Sequence, residues 1–185
     1  EKWWLLSATV LSIMLAWGKN FMPLTNLFID YFPGYNKFRA VTMTLVIAQF
    51  CMPLLGMLAM RDIINGSFTR KDVLKGLKWA TGITGGLALI FILIPGIAGS
   101  FMSQYEASAN LPAWLSTAII NDRQELLRGD SFRTLILIVL AASATTGFVY
   151  EKIKKEYLIL ALGTLIVFDL WTVDKRFLNA DKFEN

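Results

Sequence analysis

The run Asp30-Tyr31-Phe32-Pro33-Gly34-Tyr35-Asn36-Lys37-Phe38-Arg39 gathers a carboxylate, two cations and four aromatic rings into ten residues. Pro33-Gly34 is a turn signal, and a reversal there delivers Lys37 and Arg39 to the start of the apolar stretch that follows. Free backbone N–H groups at a helix start, together with two cations, suit a phosphate group. The same residues fit a second reading, in which Lys37 and Arg39 snorkel to lipid headgroups while Tyr31, Phe32, Tyr35 and Phe38 form an interfacial aromatic belt.

Three further groups carry polar chemistry. Asp169 falls about one helical turn inside the last apolar block, where a carboxylate seeks a cation such as Arg176 or one from another helix; reaching headgroup water is the alternative. Asp122, Arg123, Glu125, Arg128, Asp130 and Arg133 alternate in sign, the pattern of a solvated face with local salt bridges. Asp122 or Glu125 in that face has the chemistry of a base or a metal ligand. Gln49 and Cys51, near Pro53, are candidates to line a polar passage between helices. The chain has no histidine, which removes imidazole shuttles and His-dependent metal sites, and its single cysteine excludes an intrachain disulfide. A net charge of +4 without a dense Lys/Arg run speaks against nucleic acid as a partner.

The elements that must position these residues are apolar. Of 185 residues, 55% are hydrophobic and 17% charged, and the mean hydropathy is +0.52. That balance is far too oily for a water-soluble domain, and the apolar residues fall into blocks near the span of a bilayer. The pattern predicts an all-α polytopic membrane protein with about five spans, over residues 3–17, 40–60, 79–98, 134–150 and 157–173. Pro53 is expected to kink the second span. Gly82-x-x-x-Gly86 in the third span and the stripe Ala141, Ala142, Ser143, Ala144 and Gly147 in the fourth are expected to face neighbouring helices. Between spans three and four, Pro112 opens a helix-like run over 113–127 that suits an interfacial helix, and Asp130 is placed to cap the span after it.

The basic residues of the short loops, Lys2, the Arg61 to Lys78 segment and Lys152 to Lys155, assign those loops to the cytoplasm, with residues 18–39, 99–133 and the C-terminal segment outside. The start, Glu1-Lys2-Trp3-Trp4, has no signal-peptide n-region, and the polar end after Asp174 leads away from the membrane. The 185 residues read as a single transmembrane region belonging to a longer chain.

Three stretches resemble the YfhO family of bacterial polytopic membrane proteins, which is similar to the GT-C class of lipid-carrier-dependent glycosyltransferases. They are the segment from Leu27 to Ala40 containing Phe32-Pro33-Gly34-x-x-x-Phe38-Arg39, the segment Asp122 to Arg133, and the segment Asp169 to Asn179. The resemblance extends over essentially the whole chain. It implies a multi-pass protein of the bacterial inner membrane that moves a sugar from a polyprenyl-phosphate carrier to a cell-envelope acceptor, with the catalytic acid in an earlier outer loop outside these residues. A divalent metal in the complete protein stays open. Lys37 and Arg39 then contact the donor phosphate, and Tyr35 and Asp30 complete the candidate substrate-binding set. Two other classes use the same features: a transporter or flippase of lipid-linked sugars, and a non-catalytic membrane scaffold.

Overall fold

A computed structural model describes residues 2–37, 41–109 and 111–178. Among them there is helix and no strand. Four helices are long and apolar enough to cross a membrane, and a bent pair makes a fifth candidate span. The chain divides into two compact units, Glu1–Phe68 and Thr69–Asn185.

In the first unit, α1 (Lys2–Ala16) is followed by a 3-10 turn and α2 (Met22–Tyr31), and the chain bends by 108° between them. The span expected over 3–17 therefore ends in a sharp corner. Gly18 sits there at φ +48, in the left-handed region that glycine enters without a Cβ penalty. The Thr25 hydroxyl donates to the Gly18 carbonyl at 2.9 Å, tying the start of α2 back across the corner. After the Pro33-Gly34 turn, in which Gly34 adopts φ +87, a 3-10 turn over Val41–Thr44 leads into α3 (Leu45–Ile64). Helix α3 continues through Pro53, whose missing N–H leaves a gap in the ladder without ending it.

Helices α1 and α3 pack together through small and polar groups. The Ser12 hydroxyl donates to the Thr44 carbonyl, and the Thr44 hydroxyl donates to the Ser12 carbonyl at 3.3 Å. Interhelical hydrogen bonds of this kind contribute about 0.6 kcal/mol each in a membrane. Leu5, Leu15, Ala48 and Cys51 fill the space around them. Lys2 pairs with Asp62 and lies over the Phe68 ring, so the start of α1 and the end of α3 share one end of the unit, as the assignment of Lys2 and the Arg61 to Lys78 segment to one side requires. Gln49 is exposed whereas Cys51 is buried. Two residues apart on a helix means about 200° around its axis, so the pair cannot line one passage.

The second unit is built on α4 (Arg70–Leu93), α6 (Ala113–Val149) and α7 (Lys155–Phe177), with the one-turn helix α5 (Gln104–Ser108) between α4 and α6. Thr69 caps α4 by accepting from the Asp72 backbone N–H. Helices α4 and α6 run antiparallel: Arg70 stacks on Tyr150 at one end, and Gly85 meets Leu135 midway, where a Cβ on the glycine would lie 3.6 Å from the leucine side chain. Gly85 and Ala88 are the buried small residues of α4. The spacing Gly82-x-x-x-Gly86, expected to make the close approach, instead has open space beside both of its glycines.

The helical run over 113–127 is not a separate interfacial element but the first part of α6, which holds 37 residues without a break. Nothing between Leu127 and Thr134 interrupts it: there is no proline, and Gly129 alone weakens a helix without ending it. Asp130 is consequently mid-helix and caps nothing. At about 1.5 Å per residue α6 is roughly 55 Å long, well beyond the ~30 Å of a hydrocarbon core. Its far end closes on Glu151, at φ +59, where the Glu151 and Lys152 N–H groups donate to Phe148 and Gly147. The tight link to α7 that follows sets Ile153 against Gly147.

The described surface is largely apolar, and within the candidate spans only 6 to 11% of each hydrophobic window is buried inside the protein. Water does not tolerate so much uncovered hydrocarbon on four long helices; lipid does. The chain is a multi-pass helical membrane protein.

Candidate functional site

The turn after α2 carries the candidate substrate-binding residues of the first unit. Asp30 is exposed in the last turn of α2. Tyr35 is buried, its ring 5.6 Å from that of Phe28, which also stacks on Phe32 at 5.3 Å. The backbone turn is closed by the Tyr35 N–H donating to Phe32 and the Lys37 N–H donating to Gly34. Lys37 is exposed at its end and makes no ion pair among the described residues. Tyr31 and Phe32 are also exposed, so a cation and two uncovered rings flank one turn. Arg39 lies outside the described residues. Tyr35 thus supports the turn by packing, whereas Asp30 and Lys37 are open to a ligand.

A second cluster is formed by α6 and α7. Asp122, Glu125, Gly129, Asp130 and Arg133 fall at helical spacing on one face of α6, and Asp169, Thr172 and Arg176 on one face of α7. Arg176 grips Asp130 with two parallel hydrogen bonds of 2.9 and 2.7 Å, the fork geometry of the strongest carboxylate pairs. Arg133 lies between two carboxylates, 3.3 Å from Asp169 and 3.7 Å from Asp130. Asp169 therefore finds its cation on the neighbouring helix. Antiparallel helices joined by a short link bring residues this far apart in sequence to one level. Asp130 and Arg176 lie ~28 and ~32 Å along their helices from that link, about one membrane thickness away.

These pairs enclose a cleft of about 450 Å³ lined by Asp122, Glu125, Asp130, Arg133, Thr172 and Arg176. Both arginines are engaged, while Asp122 and Glu125 are exposed and make no ion pair among the described residues. The open side of the cleft is therefore rich in hydrogen-bond acceptors, a chemistry that suits hydroxyl or amine donors. Among the described residues no three acidic or thiol groups converge closely enough to hold a metal ion.

A third set fixes the loop before α6. Ser103 and Glu106 form a reciprocal capping box on α5. Arg123 holds both Glu106 oxygens, at 2.9 and 2.6 Å, and also donates to the Phe101 carbonyl. The arginine and the Ser103 N–H together pull the Glu106 carboxyl down to about 2. The alternating charges of 122–133 predict a solvated face with local pairs; among the described residues Asp130 with Arg133 is the one ion pair within that stretch. Asp169, expected to seek Arg176 or a cation of another helix, takes Arg133 of α6, while Arg176 goes to Asp130; the partner that sequence reasoning missed is Glu106, whose one available signal was the Ser103-x-x-Glu106 capping pattern.

Comparison of the chain with protein-family models, with curated proteins and with solved structures finds no match.

Proposed function

We propose that this chain is the membrane-embedded part of a lipid-carrier-dependent glycosyltransferase of the bacterial inner membrane, similar to the YfhO family, which binds the phosphate and lipid of a polyprenyl-linked sugar donor for transfer to an envelope acceptor. The observation that carries this reading is the turn after α2: a Pro-Gly reversal that leaves Lys37 exposed beside Tyr31 and Phe32. Helix α1 packs along α3, a candidate span, and α2 leaves it at 108°, a course that would bring this turn toward headgroup depth. A cation flanked by apolar rings there suits a phosphate that arrives attached to an isoprenoid chain. The acceptor-rich cleft of α6 and α7 supplies a second polar surface with the chemistry to meet sugar hydroxyls. Bond making belongs to an acid outside these residues, and this region contributes binding.

The corner at Gly18 also supports a flippase of lipid-linked sugars, because broken helices form many transport sites. One pair of assays separates the readings. In the complete protein, Arg39→Ala and Lys37→Ala should each lower sugar transfer at least tenfold, with circular dichroism unchanged. Unchanged transfer would remove the phosphate role. Passage of the intact lipid-linked sugar across vesicles, without transfer to an acceptor, would favour the flippase.

A further inference from the structure

The groove between α4 and α6, at the end of the second unit opposite the Asp130–Arg176 pair, has the features of a lipid site. It holds about 550 Å³ and is lined by Thr81 on α4 and by Ala142, Ser143, Thr146 and Gly147 on α6, with Tyr150 and Lys152 at its mouth. Its walls are low because these side chains are small. From Val139, the α6 lining residue farthest from that mouth, to Tyr150 is 11 residues, or ~16 Å of helix, close to half of the ~30 Å hydrocarbon thickness. The groove is thus about one leaflet long.

Its mouth is cationic. Lys152 lines it directly, and the Arg70 guanidinium lies 3.9 Å from the Tyr150 ring centroid, held at the same rim. Lys78 sits three residues before Thr81, on the same face of α4 and nearer that rim. Among the described residues neither Lys78 nor Lys152 is in an ion pair. An apolar channel of leaflet length, with hydroxyls along it and uncompensated cations at its headgroup end, matches one ligand in shape and in charge. We infer that this groove binds an anionic glycerophospholipid, its phosphate on Lys152 and Arg70 and one acyl chain lying along Ala142, Ser143 and Thr146. This site does not depend on the function proposed above, since it involves none of the same residues.

The test is native mass spectrometry of the full chain released from micelles containing equal phosphatidylglycerol and phosphatidylcholine. The wild-type protein should retain phosphatidylglycerol preferentially. Lys152→Ala should weaken that retention about fivefold, as expected for one lysine near a membrane surface. Ala142→Phe should block retention with every cation in place, and Ser143→Ala, which leaves the channel open, should keep it. Millimolar inorganic phosphate should not displace the lipid, because it lacks the chain that fills the groove. Equal retention of the two lipids, insensitivity to both Lys152→Ala and Ala142→Phe, displacement by phosphate, or a dimer that excludes lipid from the groove would each overturn the assignment.

Discussion

Among single residues, Arg123 does the most to organise the polar part of the second unit, because it joins α5, the loop carbonyl of Phe101 and the side of α6. Its grip on Glu106 has a direct pH consequence. With the folded carboxyl at about 2 against an ordinary value of 4.5, the pair's contribution is complete above pH 4.5 and is lost as the pH falls toward 2. The protection of the α5 amides from hydrogen exchange, taken relative to their intrinsic exchange rates at each pH, should therefore fall across that window, and Glu106→Gln should show low protection at every pH, with no transition. Protection that is equal at pH 6 and pH 2 in the wild type would mean that Arg123 does not anchor the segment. Other residues were less legible. Asp30 and Lys37 are as open as their position beside a Pro-Gly turn suggested, but nothing in their spacing distinguished them from Tyr35, which turned inward onto Phe28. Periodicity reports which face of a helix is apolar; in a turn no period exists, and side-chain direction is decided by contacts.

At the scale of elements, the apolar blocks located every long helix, because about 20 uncharged residues in a row leave a membrane chain few other choices. Boundaries and pairings were harder to read. Helix α6 runs through the charged stretch 122–133 because charged side chains are compatible with helix once they leave the hydrocarbon, so loss of hydrophobicity marked the membrane surface and not the helix end. The Gly82 and Gly86 spacing misled for a related reason: a lipid-exposed helix carries small residues on more than one face, and only the partner selects among them. Substitutions separate the faces. Gly85→Leu should push α4 away from Leu135 and cost about 1–3 kcal/mol in the α4–α6 contact, whereas Gly82→Leu, facing open space, should be tolerated. Thermal unfolding of the two variants in one detergent measures the difference. Equal losses would mean that both glycines are packed in the membrane.

For the molecule as a whole, orientation follows from where each unit keeps its charges. In the second unit Arg70, Lys71, Lys75 and Lys78 share one end with Lys152, Lys154 and Lys155, since Arg70 stacks on Tyr150. The opposite end mixes Arg123, Arg128, Arg133 and Arg176 with Asp122, Glu125, Asp130 and Asp169. Lysines and arginines held close to helix ends are the ones retained on the cytoplasmic side, so the first end should face the cytoplasm. The ~55 Å of α6 then carries Asp122 and Glu125 out of the hydrocarbon on the other face. Single cysteines at Ser67 and Asn121, in a Cys51→Ser background, make this measurable. A membrane-impermeant maleimide applied to spheroplasts should label position 121 before lysis and position 67 only after it. The reverse order would invert the orientation, and labelling of both before lysis would mean that the helix between them does not cross. The outcome also tests the proposed function: under that proposal a carrier-linked sugar would meet the α6–α7 cleft on the outer face, so labelling of position 121 from the cytoplasmic side alone would remove that cleft from the proposal even with the helical fold intact.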